Sequence, residues 1–189
     1  MEQLTRCRLT LQQAEQIYIQ YMKQDFAPDE LKPFEMIQSA WARGEYECLG
    51  FYDGTMLSGY AYLVRLGREY LLDYFAVQAD LRGNGYGSRI LQMLRTEYAE
   101  ASSILIESEN PDYAVDASEV TERQKRLRFY HRAGCLDTGV TVRLFGVEYK
   151  VLELPISGAH SPDAIRELYL RLYRSFLSVE RCQKHILLR

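Results

Sequence analysis

The sequence predicts an α/β fold: a mixed central sheet, mostly antiparallel with one splayed parallel pair, flanked by helices. Three observations carry this. Strand-like segments at residues 45–52, 55–64 and 69–77 follow one another through tight turns, so they meander antiparallel. Helical periodicity at 88–99 and a further strand at 102–109 come next, and a strand–helix–strand crossover sets its two strands parallel. The 189 residues, 47% apolar and 26% charged, are the mixture of an ordinary globular chain long enough to bury a core.

Each element has a local cause. Thr10 and Gln13 have the spacing of a capping box, which opens a helix over 11–23. The signals Pro28-Asp29 and Pro33 precede a second helix carrying Phe34, Ile37 and Trp41 and stopped by Gly44. Residues 26–32 between these helices form a natural wall or lid. Asp53-Gly54 is a two-residue hairpin signal, and Gly67 marks the next turn. Ile90, Leu91 and Leu94 line one side of the helix at 88–99. A polar segment at 110–122 leads to a helix at 122–133 closed by Gly134, and strands at 135–145 and 147–154 make a hairpin over Gly146. Ser161-Pro162-Asp163 then starts a last helix, with Ile165, Leu168, Leu172, Phe176 and Val179 as its apolar stripe. The expected organisation is a main domain over 1–156 and a helical extension over 157–189. That extension covers the same domain or the matching face of a second subunit in a homodimer.

Bulk properties narrow the function. A net charge of −3 and a pI near 5.7 argue against a nucleic-acid binder that works by neutralising phosphates. Fifteen tyrosines suit either amphipathic cleft walls or half-exposed strands. Cys7, Cys48, Cys135 and Cys182 form no CxxC pair and the three histidines are dispersed, so no metal site is expected. No apolar run reaches the length of a membrane span, and the first ten residues lack the apolar core of a signal peptide. With free thiols, the reading is a cytoplasmic protein.

The chemistry centres on Arg82, Gly83, Asn84, Gly85, Tyr86, Gly87 and Ser88, between a strand and a helix. Glycines let backbone approach an anion closely, the helix N-terminus offers unpaired N–H groups, and Arg82 adds a charge suited to phosphate. A tight turn without a ligand is the alternative for the loop alone. No lysine follows the glycines, which excludes a P-loop. Ser88 stands where a dinucleotide fingerprint needs its third glycine, and residues 78–81 intervene after the strand.

Arg82-x-x-Gly85-x-Gly87 after the strand LLDYFAV, together with Phe129-Tyr130-His131-Arg132-Ala133-Gly134, resembles the GNAT family of N-acetyltransferases. The likeness covers about residues 45–154. It implies a GNAT fold in which the strand before the glycine loop splays from its parallel neighbour to admit acyl-CoA. The chain would then be an enzyme, taking acetyl-CoA as donor, needing no metal, and transferring the acetyl group to a primary amine of a small molecule in a ternary complex. Backbone groups of Phe75, Ala76 and Val77 would pair with the pantetheine arm, and the N–H groups of Gly83 to Ser88 would hold the pyrophosphate. Tyr130 would protonate the departing thiolate; otherwise it is a helix tyrosine packed beside Phe129. Asn110 matches the family's cofactor-contacting asparagine, at a changed spacing.

The base is open between Glu107, ranked first, and Glu109 and Asp73; Glu69 is the one glutamate earlier on the strand before the loop. Each carboxylate has a plainer reading as a partner for a basic side chain such as Arg123 or Arg126. Cys135 replaces the family's usual aromatic and reads as a small buried hydrophobe rather than an acyl carrier. From Glu107 to Glu122 there are six carboxylates and no Lys or Arg, followed by a basic helix. This arm either draws a cationic acceptor by its local potential or pairs with its own helix. The competing functions are a non-catalytic acyl-CoA-binding regulatory domain and acylation of a protein N-terminus or lysine.

Overall fold

The structure, a computed structural model, describes residues 4–28 and 30–189; Asp29 of the Pro28-Asp29 signal and the first three residues lie outside the described residues. Along the chain run β1 (Thr5–Arg8), α1 (Leu11–Ile17), a π-helical stretch (Tyr18–Met22), α2 (Lys23–Asp25), α3 (Phe34–Ala42), β2 (Tyr46–Asp53), β3 (Met56–Leu66), β4 (Glu69–Val77), α4 (Tyr86–Glu97) and β5 (Ser103–Glu109). Then come α5 (Ala117–Arg132), β6 (Leu136–Leu144), β7 (Val147–Pro155), α6 (Pro162–Phe176), α7 (Val179–His185) and β8 (Ile186–Leu188). The result is a mixed sheet with one parallel pair, β4–β5, flanked by helices.

The chain divides into two compact units. One comprises the residues up to Arg65 with Asp73–Met93, the other Leu66–Leu72 with Leu94–Arg189. In the first, β1, β2, β3 and the later part of β4 follow in that order. β1 pairs antiparallel with β2, and β2 with β3 through the Asp53-Gly54 turn. Met22, Ile37, Leu49, Phe51, Tyr60, Tyr62 and Ile90 are buried here. The Tyr62 hydroxyl donates to the Ala14 carbonyl at 2.7 Å, so a buried phenol is satisfied where α1 crosses β3.

In the second unit the order is the start of β4, then β5, β7, β6 and β8. The parallel ladder joins Glu69 to Ser103 and proceeds to Leu72 with Ile106, while β4 itself continues to Val77 and β5 to Glu109. β5 pairs antiparallel with β7 and β7 with β6, which carries a bulge between Asp137 and Val140. On α6, Ile165, Leu168, Tyr169, Leu172 and Tyr173 are buried.

Several expectations are corrected. α5 begins at Ala117 rather than 122, because Asp116 caps it by accepting from the Glu119 N–H at 2.8 Å while Glu119 accepts from the Val115 N–H at 3.0 Å. The last helix does not run on to 189. It breaks at Leu177, Ser178 caps α7, and β8 adds to the edge of β6. Val179, placed on the apolar stripe, is exposed. β1 was not foreseen. The capping box at Thr10 and the Ser161-Pro162 start are both present.

Candidate active site

In the first unit, β4 ends at Val77 and a 3-10 turn at Ala79–Leu81 leads into the glycine loop. Gly83 and Gly85 have φ of 81° and 83°. A Cβ added to either would meet nothing within 4 Å, so backbone handedness rather than crowding calls for glycine at both. α4 starts at Tyr86, two residues earlier than expected, which puts Gly87 and Ser88 in its first turn. N–H groups in a first turn have no intrahelical acceptor and carry the positive end of the helix dipole, so this segment can hold an anion. Two side chains brace the loop. Arg82 donates through Nε to the Val77 carbonyl at 3.0 Å and through its guanidinium to Asp25 at 2.7 Å. The Tyr86 hydroxyl donates to Asp53 at 2.5 Å, tying the start of α4 to the β2–β3 turn.

Phe75, Ala76 and Val77 are the last three residues of β4. The segment between α2 and α3 is strapped to this strand by Lys32. Its N–H donates to the Tyr74 hydroxyl at 2.8 Å, its ammonium to Asp73 at 2.6 Å, and its carbonyl accepts from Tyr18 at 2.9 Å. Asp73 also accepts from Tyr46 at 2.5 Å. Burial and the neighbouring Asp73 charge push the Tyr46 phenol well above its usual range. Asp73 is therefore held in a buried ion pair.

In the second unit, Tyr130 lies in the last turns of α5 with its ring 5.0 Å from that of Phe129. Its hydroxyl makes no hydrogen bond to another of the described residues. Burial pushes its phenol up, against a smaller lowering by Arg126, so it stays protonated throughout the neutral range. The Cys135 N–H donates to the Tyr130 carbonyl at 3.0 Å, and burial pushes the Cys135 thiol up to about 12.

The remaining carboxylates separate by partner. Glu109 is ion-paired with Arg123 at 3.1 Å and Arg126 at 2.7 Å. Glu107 accepts from the phenols of Tyr169 and Tyr173, the latter at 2.7 Å. Asn110 is buried, its carboxamide oxygen accepts from the Asp112 N–H at 3.1 Å, and its carbonyl accepts from Arg123 at 3.0 Å. Glu119 pairs with Arg123 and Glu122 with Lys125. Much of the acidic arm is thus answered by its own basic helix. Among the described residues, no group of three or more His, Cys, Asp and Glu side chains is placed to hold a metal ion, and no helix is long and apolar enough to cross a membrane.

Sequence reasoning placed Lys32 only as the end of the wall over 26–32, and it did not find Tyr46, Tyr74, Tyr169 or Tyr173. The spacing of Tyr169 and Tyr173, four apart within an apolar stripe, was the available signal for the last two.

A model of the acetyltransferase (GNAT) family matches residues 11–134. No curated protein sequence matches the chain. Among solved structures, a GNAT-family protein of Bacteroides thetaiotaomicron is similar with a TM-score of 0.71 at 19% identity, covering 89% of this chain and 96% of that one. The ribosomal-protein-S18-alanine N-acetyltransferase of Escherichia coli is similar with a TM-score of 0.61 at 17% identity, over 84% and 97% of the two chains. An aminoglycoside 6'-N-acetyltransferase complexed with coenzyme A is similar with a TM-score of 0.57 at 16% identity, over 83% and 99%. At these identities the likeness is one of fold.

Proposed function

Because the chain belongs to the acetyltransferase (GNAT) family, we propose that it transfers an acetyl group from acetyl-CoA to a primary amine of a small molecule, by direct attack in a ternary complex. The observation that carries the donor half is the left-handed backbone at Gly83 and Gly85 feeding the N-terminus of α4. Its N–H groups from Gly83 to Ser88 are the pyrophosphate ligands, and Phe75, Ala76 and Val77 present backbone groups to the pantetheine arm. An N–H on that strand end steadies the thioester oxyanion. Asn110, engaged at the end of β5, is assigned to shaping that end.

The amine loses two protons overall. Glu107 takes the first from the ammonium, leaving the nitrogen lone pair to form the N–C bond. The C–S bond then breaks with its electron pair on sulfur, and Tyr130 donates its phenol proton there. The second amine proton, released as the amide forms, restores Tyr130 by way of solvent. Burial keeps the phenol protonated in the neutral range, so its proton is in place for the sulfur as the C–S bond breaks. Glu107 is taken as the base because the phenols of Tyr169 and Tyr173 orient its carboxylate; Asp73 and Glu109 are bound to ammonium and guanidinium groups.

The acceptor class rests on the wall between α2 and α3. Lys32, through its backbone and its ammonium, is strapped to Tyr74 and Asp73, which favours a confined acceptor over a peptide needing an open groove. A thiol-release assay with acetyl-CoA against spermidine, tyramine, an aminoglycoside and a short peptide with a free N-terminus tests this. Coenzyme A binding with no turnover on any of them would replace the enzyme reading by a binding domain. Turnover of the peptide alone would replace the acceptor class.

A further inference from the structure

We propose that Tyr169 and Tyr173 are positioning residues for the base Glu107, so that α6 belongs to the acyl-transfer machinery as well as covering the sheet. This rests on the reading of Glu107 as the base. The family model matches residues 11–134, and α6 follows that match along the chain. Both tyrosines are fully buried, they stand four residues apart on one face of α6, and their rings lie 4.7 Å apart. Both phenols donate to the same oxygen, Oε1 of Glu107, with the Tyr173 bond at 2.7 Å.

A stripe that only covered a sheet would need no hydroxyl at either position. Phenylalanine would fill nearly the same volume without the cost of burying a phenol. Ile165, Leu168 and Leu172, also buried on α6, fix the helix against rotation and so fix where the two hydroxyls point. Two donors on one oxygen set the plane of the carboxylate on β5 and favour its ionised form, the form able to accept a proton. In the step concerned an N–H bond of the acceptor ammonium breaks, an O–H bond forms on the Glu107 carboxylate, and the electron pair stays on nitrogen. No other reactant is needed.

The test compares wild type, Glu107→Gln, Tyr169→Phe and Tyr173→Phe in thiol release from acetyl-CoA, using whichever amine of the panel above the wild type turns over. Glu107→Gln is expected to lower kcat about a hundredfold, within the usual range for loss of a general base. Each Phe variant is expected to lower kcat about tenfold through misplacement of the carboxylate, with KM for acetyl-CoA unchanged. The acidic limb of the kcat–pH profile should also move to higher pH, because a carboxylate that loses a donor is easier to protonate. Carbon-13 titration of the Glu107 carboxyl in the same variants reads that movement without turnover.

Glu107→Gln with wild-type rates, or no turnover of any amine by the wild type, would overturn the base reading and this inference with it. An inactive Glu107→Gln beside Phe variants with unchanged kcat and an unmoved limb would overturn the role of the tyrosines alone. Tyr173→Phe serves if Tyr169→Phe does not fold. Loss of folding in both would assign the pair to the core and overturn a role at the base.

Discussion

Arg82 donates through its guanidinium to Asp25 at 2.7 Å, joining the end of the first helical segment to the start of the glycine loop. Asp25 also accepts from Tyr60 at 2.8 Å, so the carboxylate is held from both sides. The Arg82 side chain is 55% exposed, and a pair so open to solvent is worth at most about 1 kcal/mol. Its value is in aiming the loop. Asp25→Ala and Arg82→Ala are each expected to weaken acetyl-CoA binding several-fold, with the double variant no worse than Arg82→Ala. Calorimetric titration of the four proteins reads this, and strictly additive losses would mean that Asp25 acts independently of Arg82.

Gly59 on β3 lies under the end of β4. A Cβ built there would stand 2.8 Å from the Ala76 carbonyl oxygen and 2.8 Å from Ile90 Cδ1. Backbone cannot yield as a side-chain tip can, so Gly59→Ala should push the Phe75–Val77 segment aside. Overpacking of this kind costs about 1–3 kcal/mol. A lowered Tm together with weakened acetyl-CoA binding is expected. A folded variant binding acetyl-CoA as tightly as wild type would remove this strand end from the cofactor's contacts.

Tyr130→Phe should lower kcat about a hundredfold, as loss of a general acid does, and leave acetyl-CoA affinity near that of wild type. Equal rates would take Tyr130 out of the mechanism.

Alkaline stability follows from the buried phenols. Burial pushes Tyr46, Tyr60, Tyr62, Tyr74, Tyr130 and Tyr169 above the ordinary tyrosine value. Since the folded-state values are raised, the stability these groups contribute is complete below the unfolded tyrosine value of about 10 and is lost as pH climbs above it. Phenolate absorbance is expected to show the exposed tyrosines titrating first and these six ionising only with unfolding. Ionisation of all fifteen in one ordinary step with the fold intact would contradict the burial.

Thiol chemistry offers a separate check. Cys7 is exposed, whereas burial raises the Cys48 and Cys135 thiols, the latter to about 12. A maleimide should label Cys7 first, and Cys135→Ala should keep its turnover. A trapped acetyl-thioester on Cys135 would replace direct transfer by a two-step route.

What could be read from the sequence was what local rules decide. Asp53-Gly54, the capping box at Thr10 and the glycine loop each specify backbone within a few residues, and each is found where expected. The start of α5 was legible in the Asp116–Glu119 spacing but was hidden by the polarity of that stretch. β1 and β8 are short, and they become strands only because β2 and β6 offer open edges. The partners of the carboxylates are a matter of tertiary distance. Lys32 is 41 residues from Asp73, while Tyr169 and Tyr173 are 62 and 66 residues from Glu107. No periodicity connects positions so far apart.

The strand β8 has a practical consequence for handling the protein. Arg189 exchanges backbone hydrogen bonds with Thr141 at 2.9 and 3.2 Å, and its guanidinium reaches Glu148 at 2.7 Å. These last residues act as a selvedge, closing a row of β6 donors and acceptors that would otherwise invite strands from other molecules. Trimming the chain after His185 should therefore cost solubility before it costs catalysis, and light scattering would register the change ahead of any assay.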